Sequence, residues 1–154
     1  MRRAAIIATA LTAALALSPD ASAKTLMDIF GKWNCTVQMY NGSTSGNHTQ
    51  YYGFGGVSWR EGDISMQLDE NTVADVSYKL SATVTVNGDT VSETGYAFSK
   101  AEGTLNGQPS SGLAQSVTDG FTRTSVTDTT IIYVDDRTLI MNSETDLTAC
   151  TKLD

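Results

Sequence analysis

The chain has 154 residues and carries 10 basic against 17 acidic side chains, a formal charge of −7; this is about one domain, with enough residues for a real core. An acidic balance gives phosphate backbones and anionic lipid no electrostatic foothold, so nucleic-acid and membrane-surface binding are not expected. Two cysteines and one histidine are too few for a clustered zinc site.

At the N-terminus, Arg2 and Arg3 precede an apolar run from Ala4 to Leu17, and "ASA" follows just before Lys24. This is the three-part pattern of a secretory signal peptide cleaved after Ala23. The apolar run, about 14 residues, is short of the roughly 20 that span a bilayer, and no later stretch is apolar enough to do so. Residues 1–23 are therefore read as a signal peptide and 24–154 as one domain, with no membrane span after processing. The expected location is periplasmic or secreted, and the alanine-rich leader suggests a Gram-negative bacterium. In an oxidising compartment the two cysteines read as one disulfide, Cys35 to Cys150. Its loop encloses most of the mature chain, and the chain-entropy model gives it roughly 4 to 5 kcal/mol.

Residues 25–30, "TLMDIF", have helical character, with Leu26, Ile29 and Phe30 free to pack against the end of a sheet. From 32 to 40, Trp33, Cys35, Val37 and Met39 alternate with Asn34, Thr36 and Gln38, the period of a half-buried strand. Residues 41–49 read as a loop that contains His48. Strands follow at 50–59 and 63–68, with Gly53, Gly55 and Gly56 marking a bend or bulge in the first. From 76 to 86 the even positions Val76, Tyr78, Leu80, Ala82, Val84 and Val86 form an apolar face. Asn87-Gly88 suits a tight hairpin turn, and 90–100 returns antiparallel. Residues 106–112 read as an exposed loop. The remaining strands are expected at 112–118, 121–128, 130–134, 138–143 and 146–152, with "YVDDRT" as a hairpin turn.

About eight to ten short antiparallel strands in one domain close into a barrel or pack as a sandwich. An up-and-down barrel with a short N-terminal helical turn is the expected fold, because closure makes the first and last strands neighbours and a disulfide between them would pin the seam; a β-sandwich is the alternative. Cys35 shares a face with Trp33, whereas Cys150 has the parity of Thr148 and Lys152, so a bulge or a bridge near a strand end is expected.

The run "IFGKW", a short helical lead into Gly31 and Trp33 on the first strand, resembles the Gly-x-Trp opening of the calycins, the lipocalins and fatty-acid-binding proteins; the final "ACTKL" is similar to that group as well. The resemblance implies a small barrel with Trp33 at its closed end beneath a basic residue from a late strand, here Arg137 or Lys152. It also implies carriage of a small molecule. The helical N-terminus, Gly-x-Trp strand and single disulfide also resemble bacterial periplasmic inhibitors of metalloproteases, a likeness that implies a protein partner.

No phosphate loop, nucleophile elbow or metal-ligand cluster is present. A catalytic role for His48 is not expected on a surface loop, so the chain is read as a non-enzyme without cofactor. The pattern singles out one carboxylate. If Asn87-Gly88 is a two-residue turn, Val86 faces Asp89 and Ala82 faces Glu93, which then points inward among apolar residues. Buried carboxylates need a partner or a ligand. Glu93 with Tyr78 and Tyr96 would be a polar anchor in a barrel cavity; alternatively, a bulge after Val91 would turn Glu93 outward and Tyr96 and Phe98 inward. Two functions stay open: a lipocalin-like barrel for a small molecule, its mouth framed by the 41–49 and 106–112 loops, or a protease inhibitor or envelope protein-interaction module with a filled interior.

Overall fold

A computed structural model describes residues 24–124 and 126–154; the signal-peptide expectation for residues 1–23 lies outside them. α1 (Leu26–Ile29) is one helical turn, closed at its start by the Thr25 backbone N–H and hydroxyl donating to the Asp28 carboxylate at 2.6 and 3.0 Å. β1 (Gly31–Met39), β2 (Thr44–Gly53), β3 (Val57–Asp69), β4 (Thr72–Asn87) and β5 (Thr90–Leu105) follow, each antiparallel to the next. A two-residue β6 (Gln108–Pro109) folds back on the end of β5, and α2 (Ser111–Arg123) follows. The chain finishes with β7 (Val126–Val134), β8 (Thr138–Asn142) and β9 (Asp146–Lys152). β7 pairs with the start of β5 and β9 with β1, so eight strands close into a ring. The architecture is all-β and barrel-like, one sheet closed on itself, not two packed sheets.

The closure runs through the disulfide. Cys35 and Cys150 are direct register partners, with Cα atoms 4.0 Å apart. The β1–β9 register is unbroken from Trp33–Lys152 to Met39–Asp146, so the expected bulge is absent. Thr148 and Cys150 are buried while Leu147 and Ala149 are exposed. β9 turns its more polar face inward because the bridge and Lys152 occupy that side.

Four expectations need correction. The 50–59 strand straddles two elements, because Phe54, Gly55 and Gly56 form the turn between β2 and β3. The 41–49 loop is a short turn followed by the first half of β2, so His48 lies on a strand and is buried. The 106–112 loop is a tight turn, β6 and a helix start. Residues 112–118 and 121–123 belong to the helix α2, and the strand expected at 121–128 begins only at Val126, as the start of β7. Within α2, odd positions Leu113, Gln115 and Val117 fit a period of two as well as Leu113, Val117 and Phe121 fit a helical stripe. Ser110 decides between them: its hydroxyl accepts from the Leu113 backbone N–H at 3.4 Å as an N-cap.

The core has two apolar clusters. Ile29, Trp33, Cys35, Tyr52, Val84, Val91, Leu139 and Cys150 pack at the α1 end. Tyr78, Leu80, Ala82 and Tyr96 pack beside α2, with Phe98 and Phe121 against them. Phe30 is not part of either. It leaves the barrel end for an outer stack, its ring centroid 4.0 Å from that of Phe54 and 6.3 Å from that of Tyr51.

Candidate functional site

Two register shifts in β5 decide which of its residues face inward. The hairpin turn is Gly88-Asp89, one residue later than expected, so Val86 faces Val91 and Val84 faces Glu93. Thr83 then pairs with Thr94 but Ser81 with Ala97, an extra residue on β5 at Gly95, whose φ is +65°. Alternation restarts after this bulge. Glu93 and Tyr96 therefore both face the interior, as does Phe98, and the two sequence readings are each half right. The bulge exists, but it follows Glu93 instead of preceding it.

Along β5 the inward order is Val91, Glu93, Tyr96, so the carboxylate falls between the two apolar clusters. β3 brings Ser58 and Arg60 to meet it, and β2 brings Gln50. The Arg60 guanidinium donates to Glu93 Oε2 at 2.8 Å and, through Nε, to Gln50 Oε1 at 2.5 Å. Ser58 Oγ donates to Glu93 Oε1 at 2.8 Å, and Gln50 Nε2 reaches the same oxygen at 3.4 Å. Burial alone would favour loss of the Arg60 proton, but the facing Glu93 reverses this and holds the guanidinium above its ordinary value. Burial raises the hydroxyls of Tyr52, Tyr78 and Tyr96; Glu93 adds to each. His48 lies on the inward face of β2, and burial, with the Arg60 charge beside it, pulls its pKa from 6.5 to about 3. It is held neutral.

Of the sequence-selected residues, Tyr78, Glu93 and Tyr96 are thus brought together. Arg60, Gln50, Ser58 and His48 were missed. For Ser58 and Arg60 the signal lies in β3, where Ser58, Arg60, Gly62, Ile64 and Met66 share the inward face, but Val57 and Trp59 on the outside make the wrong face look apolar. His48 and Gln50 alternate with exposed or half-buried residues on the inward face of β2. Close approach accounts for Gly62: it pairs with His48, and a Cβ there would collide with the Asn47 carbonyl and the His48 Cβ.

Trp33 is fully buried, and its indole N–H donates to the Ile29 carbonyl at 2.7 Å. Lys152 Nζ stands 4.6 Å from the Trp33 ring centroid and donates to the Phe30 carbonyl, its side chain lying against Gly31. Lys152, not Arg137, is the basic residue over Trp33; Arg137 is exposed in the β7–β8 turn.

Among the described residues no group of three or more His, Cys, Asp or Glu side chains stands where it could hold a metal ion, and no helix is long and apolar enough to cross a membrane. A groove of about 570 Å³ runs between α2 and the second half of β5. No protein-family model matches the chain, and comparison with curated proteins finds no match.

Proposed function

We propose that the mature chain is a secreted or periplasmic, non-catalytic binding protein of calycin-like build whose recognition surface is on the outside of its barrel and meets a protein partner. The observation that carries this reading is the closure of the interior polar cluster on itself. Glu93 is met by Arg60, Ser58 and Gln50, and among the described residues no buried side-chain polar atom lacks a partner. An anchor for a ligand inside the barrel would leave such groups free for the ligand to satisfy. Small barrels fill themselves with side chains in this way.

The leader pattern and the Cys35–Cys150 bridge support export to an oxidising compartment. The Gly-x-Trp start, with Lys152 over Trp33, supports the calycin likeness. One observation favours a second reading, small-molecule carriage: inward-facing Val37, Met39, Ile64 and Met66 stay half-buried at the barrel end away from α1, and the Arg60 side chain is 20% exposed. Native mass spectrometry of protein purified from its own compartment tests the choice. A stoichiometric protein complex is expected; a retained small molecule bound to the monomer would replace this reading with the second.

A further inference from the structure

The sequence has three Asn-Gly pairs, Asn41-Gly42, Asn87-Gly88 and Asn106-Gly107, and all three asparagines are exposed at turns or strand ends. Such a pair carries an electrophile and a nucleophile side by side. With no Cβ on the glycine to block the approach, its backbone nitrogen can attack the asparagine Cγ. A Cγ–N bond forms, the Cγ–Nδ2 bond breaks, and ammonia leaves with the glycine amide proton, closing a cyclic imide. Water then opens the imide. Attack at Cγ gives aspartate; attack at the backbone carbonyl gives isoaspartate, whose main chain runs through the former side chain and is longer by a carbon. No oxidant or enzyme is needed, so the fold alone decides which pair reacts.

Two of the pairs are held. At Asn41 the side-chain oxygen accepts from the Ser43 backbone N–H at 3.0 Å, and the Gly42 N–H, the would-be nucleophile, donates to the Met39 carbonyl at 3.0 Å. At Asn106 both ends of the side-chain amide are engaged: Oδ1 accepts from the Val73 backbone N–H at 2.8 Å, and Nδ2 donates to the Asn71 carbonyl at 3.0 Å. Asn87 differs. Among the described residues no hydrogen bond reaches its side chain, and none uses the Gly88 N–H. The strand around it is held on one side. β4 pairs with β3 only as far as Thr83, and the Val84 N–H donates to the Gly56 carbonyl at 2.8 Å. Beyond that, Thr85 to Asn87 pair with β5 alone, and Asn87–Thr90 is the last pair before the turn. An extended asparagine must rotate its backbone before the next nitrogen can reach Cγ, and a hairpin tip paired on one side frays at little cost.

We propose that Asn87 is a site of spontaneous deamidation, the reactive one of the three Asn-Gly pairs in the folded chain, and that isoaspartate formed there unties the β4–β5 turn from β7. This chemistry does not depend on what the protein binds. The turn has two residues, Gly88 and Asp89, with Gly88 at φ +61°, and that length fixes the register of the hairpin. The Asp89 carbonyl accepts from the backbone N–H of the buried Ile131 at 2.6 Å. A longer main chain at Asn87 pushes Gly88 and Asp89 away from that donor. Ordinary aspartate adds a charge beside Asp89 and leaves the spacing as it was.

The test keeps the mature protein at mildly alkaline pH, folded in one sample and unfolded in urea in another, and follows each Asn-Gly pair by peptide-mapping mass spectrometry. The unfolded sample sets the reference rate of each pair. Relative to it, folding should slow Asn87 little and should slow Asn41 and Asn106 about tenfold or more, because one or two hydrogen bonds must break first. The Asn87 peptide should divide into aspartyl and isoaspartyl species, and Asn87→Ser should remove both. Hydrogen exchange at the Ile131 amide should be faster in the purified isoaspartyl product than in Asn87→Asp, which carries the charge alone. A folded Asn87 that stays intact while the unfolded chain reacts would overturn the site, as would Asn41 or Asn106 reacting equally fast. Equal exchange at Ile131 in the two proteins would overturn the untying of the turn.

Discussion

Glu93 and Arg60 leave bulk water together, and what either contributes is set by what the other would lose alone. Glu93→Gln keeps the shape but leaves the guanidinium without its counter-charge, so we expect a loss of roughly 1–3 kcal/mol in denaturant unfolding, at the modest end because Arg60 keeps some solvent. Replacing both, Glu93→Leu with Arg60→Met, should recover most of it, since a packed apolar pair needs no desolvated charge. A single variant as stable as wild type would show that the pair is unimportant to the fold. His48 makes a separate prediction in pH. Its folded pKa, about 3, lies below the ordinary 6.5, so between these values the unfolded chain holds a proton that the folded chain does not. Stability therefore falls as pH drops below about 6.5 and gains nothing from this group above it, with a slope approaching about 1.4 kcal/mol per pH unit. The check is the difference between wild type and His48→Gln from neutral pH down to about pH 4; parallel curves would mean that His48 can accept a proton in the fold.

At the level of elements, the β5 bulge determines the interior. Gly95 sits at a left-handed φ with no atom within 4 Å of where a Cβ would lie, so Gly95→Ala should cost about 1 kcal/mol from backbone strain alone, and Gly95→Asn less. Equal stability of all three would argue that β5 does not bulge there, and with the bulge would go the shared face of Glu93 and Tyr96. α2 lies on the outer side of its contact with β5, none of its residues being fully buried. Phe121→Ala should therefore release the helix more than it destabilises the barrel: about 1–2 kcal/mol for a half-buried ring, with amide exchange in α2 quickened and exchange across β1 and β9 unchanged. Uniform change across both would mean that the helix and the barrel open as one unit. α2 is also where the pattern misled, for in this thirteen-residue segment Leu113, Val117 and Phe121 stand four apart, a spacing that puts residues on one face of a helix and, being a multiple of two, on one face of a strand as well.

At the scale of the whole molecule, the bridge joins the first strand to the last across a separation of 115 residues. Its loss restores to the unfolded chain the entropy of that loop. Cys35→Ser with Cys150→Ser should lower the melting temperature by about 10 °C or more, while far-UV circular dichroism remains that of the barrel, because eight paired strands still bury their inward faces. An unchanged melting temperature would mean that β1 and β9 hold the seam without it.

The alternation along residues 32–40 and 76–86, the hairpin at Asn87-Gly88 to within one residue, the pairing of the two cysteines and the barrel itself follow from the sequence, because period-two burial and chain-closing covalent chemistry are local or few-bodied properties. Glu93 could be singled out from the same pattern, together with Tyr78 and Tyr96. Its environment could not: whether it faced in or out depended on a bulge whose position is set by packing on both sides of β5, and the groups that satisfy it come from β2 and β3, more than thirty residues away in the chain. That β5 is covered by a helix between its pairings with β6 and β7 is likewise a product of topology, since α2 takes the place of a strand there. Side-chain periodicity says which way one strand faces; only the assembled sheet decides what stands opposite, and which backbone groups are left without a neighbour.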